Sequence, residues 1–84
     1  MNKYEKELQI LKPQDEVQGV YEMDGYMFLS TGGHGYLVVP KEDKNYGLAC
    51  RVYEYGYMGN LAVYLEEDCE APEFLNKVKV EVTA

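Results

Sequence analysis

No run of eighteen apolar residues occurs in this 84-residue chain, which excludes a membrane-spanning helix. Histidine and cysteine are scarce: His34, Cys50 and Cys69 are the whole supply. None of the three has the short paired spacing of a structural zinc site, so no metal is expected, even with a carboxylate from Glu66 to Glu70 added to the set. Ser30 is the serine close to His34 in the chain, and one serine with one histidine is not a triad. The expectation is a protein without catalytic activity and without a cofactor. Positive charge is also short, at 8 Lys and Arg against 15 Asp and Glu, a formal charge of −7. That balance argues against direct binding of nucleic acid, whose phosphates demand cations, and against docking on anionic lipid. It permits a basic protein partner, and it also simply keeps a small domain soluble. Met1 to Glu5 lacks the apolar stretch of a signal peptide, so a cytoplasmic location is expected.

The length suits a single domain, residues 1–84. Asn2 to Leu11 reads as a short helix, with Asn2 as N-cap and Tyr4, Leu8 and Leu11 on one face. An extended arm is the alternative, since ten residues make a marginal helix without packing. Val17 to Ser30 reads as a hairpin about Asp24-Gly25. Val20, Met27 and Leu29 fall on one face, and Tyr21, Met23, Tyr26 and Phe28 on the other. Both faces are fairly apolar, so these strands are either sandwiched or face a helix, and the sequence alone does not choose. After the Gly-rich turn comes a strand, Tyr36 to Val39, ending at Pro40, then a charged loop or single helical turn over Lys41 to Asn45. Ala71 to Lys77 suits a short helix with proline in its first turn. Val78, Val80 and Val82 alternate with polar residues, which predicts a last strand. The sum is an α+β fold: a mainly antiparallel sheet of about five strands with one or two short helices.

Cys50 to Cys69 reads as one long hairpin folded about Gly59-Asn60, a two-residue turn that needs positive φ. That register sets Arg51 opposite Asp68, Tyr55 opposite Tyr64, Gly56 opposite Val63, and Cys50 opposite Cys69 within disulfide reach. In a reducing cytosol the cysteines would remain packing residues. One hairpin face carries Val52, Met58, Leu61, Val63 and Leu65. The other carries Tyr53, Tyr55, Tyr57, Ala62 and Tyr64, a tyrosine sheet that is either covered by the fold or offered to a partner, a second copy included. Beside it lie Glu66, Glu67, Asp68 and Glu70. These serve as a charged strand end and helix start, or as an acidic complement to arginines of a partner. Tyr53, Tyr55, Tyr57, Tyr64, Glu66, Glu67, Asp68 and Glu70 are therefore the candidate partner-binding residues. A second candidate is the loop Gly32, Gly33, His34, Gly35 with Tyr36, as a small-ligand or nucleotide site helped by Lys41 and Lys44. It lacks the lysine of a P-loop and leads into a strand, so a plain flexible turn explains it equally.

His34-Gly35-Tyr36-Leu37-Val38-Val39-Pro40 and Tyr64-Leu65-Glu66-Glu67-Asp68-Cys69-Glu70-Ala71, with Phe74 following, resemble segments of small uncharacterised proteins of bacteriophages and mobile elements. Those carry His-Gly-aromatic-Leu-x-Val-Pro and Tyr-Leu-Glu-Glu-Asp-Cys-Asp, and Glu70 stands here where the aspartate is usual. The resemblance covers roughly the second half of the chain and implies a genomic context, with no activity attached. By analogy with small acidic phage proteins, it implies an inhibitor of a host defence protein that handles nucleic acid. A nucleotide sponge or a structural part of a phage complex are the alternatives.

Overall fold

The structure, a computed structural model, describes the backbone through Thr83 and the side chains through Val80. Helix α1 (Lys3–Leu11) is followed by strands β1 (Val17–Met23), β2 (Tyr26–Thr31) and β3 (Gly35–Pro40). Helix α2 (Tyr46–Val52), strands β4 (Tyr57–Met58) and β5 (Ala62–Glu66), and helix α3 (Glu70–Thr83) complete the chain. The five strands form one antiparallel sheet in the order β1-β2-β3-β5-β4. The fold is α+β.

Both faces of the sheet carry a buried cluster. On one side Leu8 of α1 meets Val17, Leu29, Tyr36, Val38, Ala62 and Tyr64, with Tyr4 and Leu11 packed against them. On the other, Phe28, Leu37, Val39, Val63 and Leu65 meet Leu48 and Ala49 of α2 and Ala71 and Phe74 of α3. Alternation along β3 and β5 thus sends successive side chains into two different cores. α1 is closed at its start by a full capping box. The Asn2 side chain accepts from the N–H groups of Tyr4 and Glu5, and Glu5 returns a bond to the Asn2 N–H. The β1–β2 turn has φ +52° at Asp24 and +86° at Gly25, the mirror-image turn whose twist matches the strands it joins.

Two expectations fail, each for an identifiable reason. The long hairpin Cys50–Cys69 does not form. Its first arm is helix α2 up to Val52, a loop over residues 53–56, and only two residues of strand. Leu48, Ala49 and Val52 are spaced to turn one side of a helical turn toward the core, and that burial overrides the strand-like reading of the same residues. The register is also displaced by two: Tyr57 faces Tyr64 and Met58 faces Val63. Neither Gly59 nor Asn60 takes positive φ. Cys50 therefore lies in α2 and Cys69 just before α3, both as free thiols, and Arg51 has no cross-strand place opposite Asp68. The expected last strand over Val78 to Val82 is also absent, because α3 runs on to Thr83. Phe74, Leu75 and Val78 follow helical spacing into the core beneath the sheet.

The helix separates two valines that a strand would treat alike. Val78 packs against the core and Val80 is 64% exposed. Val78→Ser is expected to cost about 1–2 kcal/mol and Val80→Ser no more than about 0.5 kcal/mol, read by urea denaturation. Equal losses would contradict the helix.

Candidate binding surface

The acidic segment is organised from below by one of its own members. β5 ends at Glu66, a turn follows, and α3 opens at Glu70. The Glu70 side chain does not point to solvent: it is 2% exposed and turns back under the sheet end. Its carboxylate accepts from the N–H groups of Glu54 at 2.9 Å, Tyr55 at 2.7 Å, Glu66 at 3.0 Å, and Gly56. Four backbone donors on one buried carboxylate satisfy both of its oxygens, the condition for burying such a charge. Gly56 is obligatory here, since a Cβ at that position would collide with the Tyr64 carbonyl oxygen and the Glu70 carboxylate. The same bonds explain why residues 54–56 cannot extend β4: their N–H groups are already used.

This arrangement sorts the candidate residues. Tyr64 is fully buried, and its hydroxyl donates to Glu7 Oε1 at 2.7 Å. Tyr57 is half-buried against the α1-side core, with its ring 5.7 Å from that of Tyr36. Tyr53 packs on the opposite core. Tyr55 is the exposed one, at 63%. A single tyrosine face is therefore not formed, because the four rings go to two cores and to solvent. Glu67 and Asp68 are exposed, Glu66 is half-buried, and Glu54 is exposed beside Tyr55. Tyr55 and Glu66 both donate to the same carboxylate, so Tyr55 emerges beside the start of the acidic turn. Cys69 Sγ lies 3.8 Å from Glu66 Oε1. Partial loss of hydration and the charges of Glu66, Glu70 and Asp68 push this thiol upward, which keeps it protonated and weakly nucleophilic.

A second carboxylate works the same way at the other end of β5. Glu7 of α1 accepts from Asn60 N–H at 2.7 Å and from Leu61 N–H at 3.1 Å, besides Tyr64. Gly59 is glycine because its missing Cβ leaves the room that the Glu7 carboxylate occupies. Burial pushes the Glu7 carboxyl up, but the Tyr64 hydroxyl and the N–H groups of Leu61 and Asn60 outweigh it, and its pKa is lowered. Lys12, 6% exposed, donates to Tyr36 Oη at 2.7 Å and pairs with Asp15 at 3.0 Å. Burial lowers its pKa, and the Tyr36 and Asp15 contacts more than compensate, leaving it raised. Nothing in the local sequence pattern marks Glu7 or Lys12. A trace of Glu7 is the glycine at position 59, whose cause lies far along the chain.

The Gly32–Gly35 loop is arranged as a connection. Thr31 N–H and Oγ1 both bond the His34 carbonyl, while Gly32, Gly33 and His34 are exposed. Gly35 is buried, and a Cβ there would strike the Phe28 ring. Tyr36 is turned inward to Lys12. Lys41 and Lys44 follow the far end of β3, and a strand of that length rises about 17 Å, so they do not reach the loop. Among the described residues, no three His, Cys, Asp or Glu side chains gather as a metal site. No helix among the described residues is long and apolar enough to cross a membrane.

Glu70→Gln replaces one oxygen with an amide NH2 that faces donors. It is expected to cost about 2–4 kcal/mol in urea denaturation; a change below about 0.5 kcal/mol would remove the clamp from the account. For Glu7, the folded-state pKa lies below the ordinary 4.5. Its contribution is therefore present above that value and is lost as pH falls through the lower folded value. Glu7→Gln should destabilise at neutral pH and flatten the acid limb of stability against pH, and an unchanged acid limb would contradict this.

Comparison of the chain with family models, curated proteins and solved structures finds no match, so the reading of this surface rests on its own geometry.

Proposed function

We propose that this protein is a non-catalytic, acidic binding protein of phage or mobile-element origin that acts in the host cytoplasm on a basic, nucleic-acid-handling defence protein. One observation carries the reading: Tyr55 is exposed on a segment whose three successive N–H groups are tied to one buried carboxylate, next to a turn of exposed acids. An aromatic held in place loses little freedom on binding, and that is where interface energy concentrates. Glu54 lies next to it in the chain, and Glu66, Glu67 and Asp68 follow from the strand end tied to the same carboxylate, offering acceptors for arginine, which also stacks on tyrosine rings. The net charge of −7 steers a cationic partner toward this protein and repels nucleic acid itself. Glu70 supports this surface from inside, and Tyr53 and Tyr57, on either side of Tyr55 in the chain, pack on the two cores.

The test pairs Tyr55→Ala with Asp68→Lys, both on exposed side chains, so the melting temperature should stay within a few degrees of the parent. Captured partner should be released by high salt, displaced by added DNA, and weakened at least about tenfold by the double variant. A partner held equally well by the folded double variant would show that the contact lies elsewhere.

A further inference from the structure

The sheet has one long open edge. β1 pairs only with β2, and among the described residues no strand lies on its other side. The two-residue turn at Asp24-Gly25 makes Met23 and Tyr26 a hydrogen-bonded pair, and such pairs alternate along an antiparallel ladder. Tyr21 and Gly19 therefore spend their backbone groups on β2, while Val20 and Glu22 direct theirs outward. The start of the strand is closed, because Val17 N–H donates to the Gln9 side chain and the register shifts between Val17 and Gly19. From Val20 to Met23 the edge carries no proline, no lysine and no bulge, and its one charged residue is Glu22. Val20 and Tyr21 are 45% and 62% exposed, and they project from opposite faces of the sheet. The ring of Tyr21 lies along the edge over Gly19, where a Cβ would meet it.

Charge decides what this edge takes. Glu16, Glu22 and Asp24 flank it, with Glu22 also accepting from Gly25 N–H, and the one cation described there is Lys79, 3.8 Å from Asp24. A second copy would bring the same carboxylates and another −7 against them. We propose that β1 binds an extended peptide segment with lysine or arginine at its flanks, which adds as a sixth strand through the backbone of Val20 and Glu22. Alternate side chains of that segment would cover Val20 on one face and Tyr21 on the other. This site is separate from the Tyr55 surface and stands or falls without it.

The probe is an acetylated heptapeptide of alternating valine and threonine with lysine at both ends, compared with the same peptide ending in glutamate. Titration into isotopically labelled wild-type protein should shift the Val20 and Glu22 amides and slow their hydrogen exchange. The lysine peptide should bind about tenfold tighter, the gap closing with salt. Val20→Pro, which removes an outward N–H and spares the β1–β2 ladder, should abolish both responses. If that variant does not fold, the wild-type amide map decides. Shifts confined to residues 66–68, equal binding of the two peptides, or a peptide-free dimer dissolved by Val20→Pro would each overturn the assignment.

Discussion

A carboxylate taken out of water must have its lone pairs filled, and Glu70 fills them with main-chain N–H groups from two separate stretches of chain. Much else follows from that contact. It ends the pairing of β4 after two residues, because the donors that would continue the ladder are committed to the side chain. It fastens the loop between α2 and β4 to the start of α3, which places α2 and α3 together beneath one face of the sheet. It also forces glycine at position 56, where the loop backbone runs against the Tyr64 carbonyl. The exposure of Tyr55 results from the same contact: its N–H faces inward to the carboxylate and its ring is left outside.

Glu7 repeats the device on the opposite face. One carboxylate in α1 holds the turn before β5 by two N–H groups and holds Tyr64 by its hydroxyl, so helix, turn and central strand share one anchor. The two glutamates together bracket β5, which like β3 donates residues to both cores. Among the described residues no buried side-chain nitrogen or oxygen lacks a partner, which is the condition under which a small fold carries buried charge. A domain of this size has little apolar area to spare, and ordering two irregular segments by charge-assisted bonds stabilises what packing alone would leave loose.

The elements governed by local rules were legible in the sequence. Asp24-Gly25, the Asn2 cap, the Tyr4–Leu8–Leu11 stripe and the β3 segment ending at Pro40 all depend on neighbours within a few residues, and all appear as read. The segment from Cys50 to Met58 was not legible, because its helical part is set by the burial of Leu48, Ala49 and Val52, and residues 54–56 are held by Glu70, up to sixteen residues away along the chain. Gly59-Asn60 carries the marks of a positive-φ turn, yet its glycine answers to Glu7, some fifty residues distant. Val78 to Val82 alternates like a strand but is held helical by Phe74, Leu75 and Val78 against the core. At the surface, the single tyrosine face read from the sequence is not formed. Tyr55 and the acidic turn do adjoin, whereas Glu70 lies beneath them and Tyr64 is buried in the α1-side core.

The central claim is that one buried carboxylate fixes the loop that presents Tyr55. Native-state hydrogen exchange on the wild-type protein tests it most directly, through the amides of Glu54, Tyr55, Gly56 and Glu66. The account predicts that all four are protected, and that they are released together, since they share one acceptor. Exchange of the Glu54, Tyr55 and Gly56 amides at the rate of an unstructured loop, with Glu66 alone protected as part of β5, would contradict it.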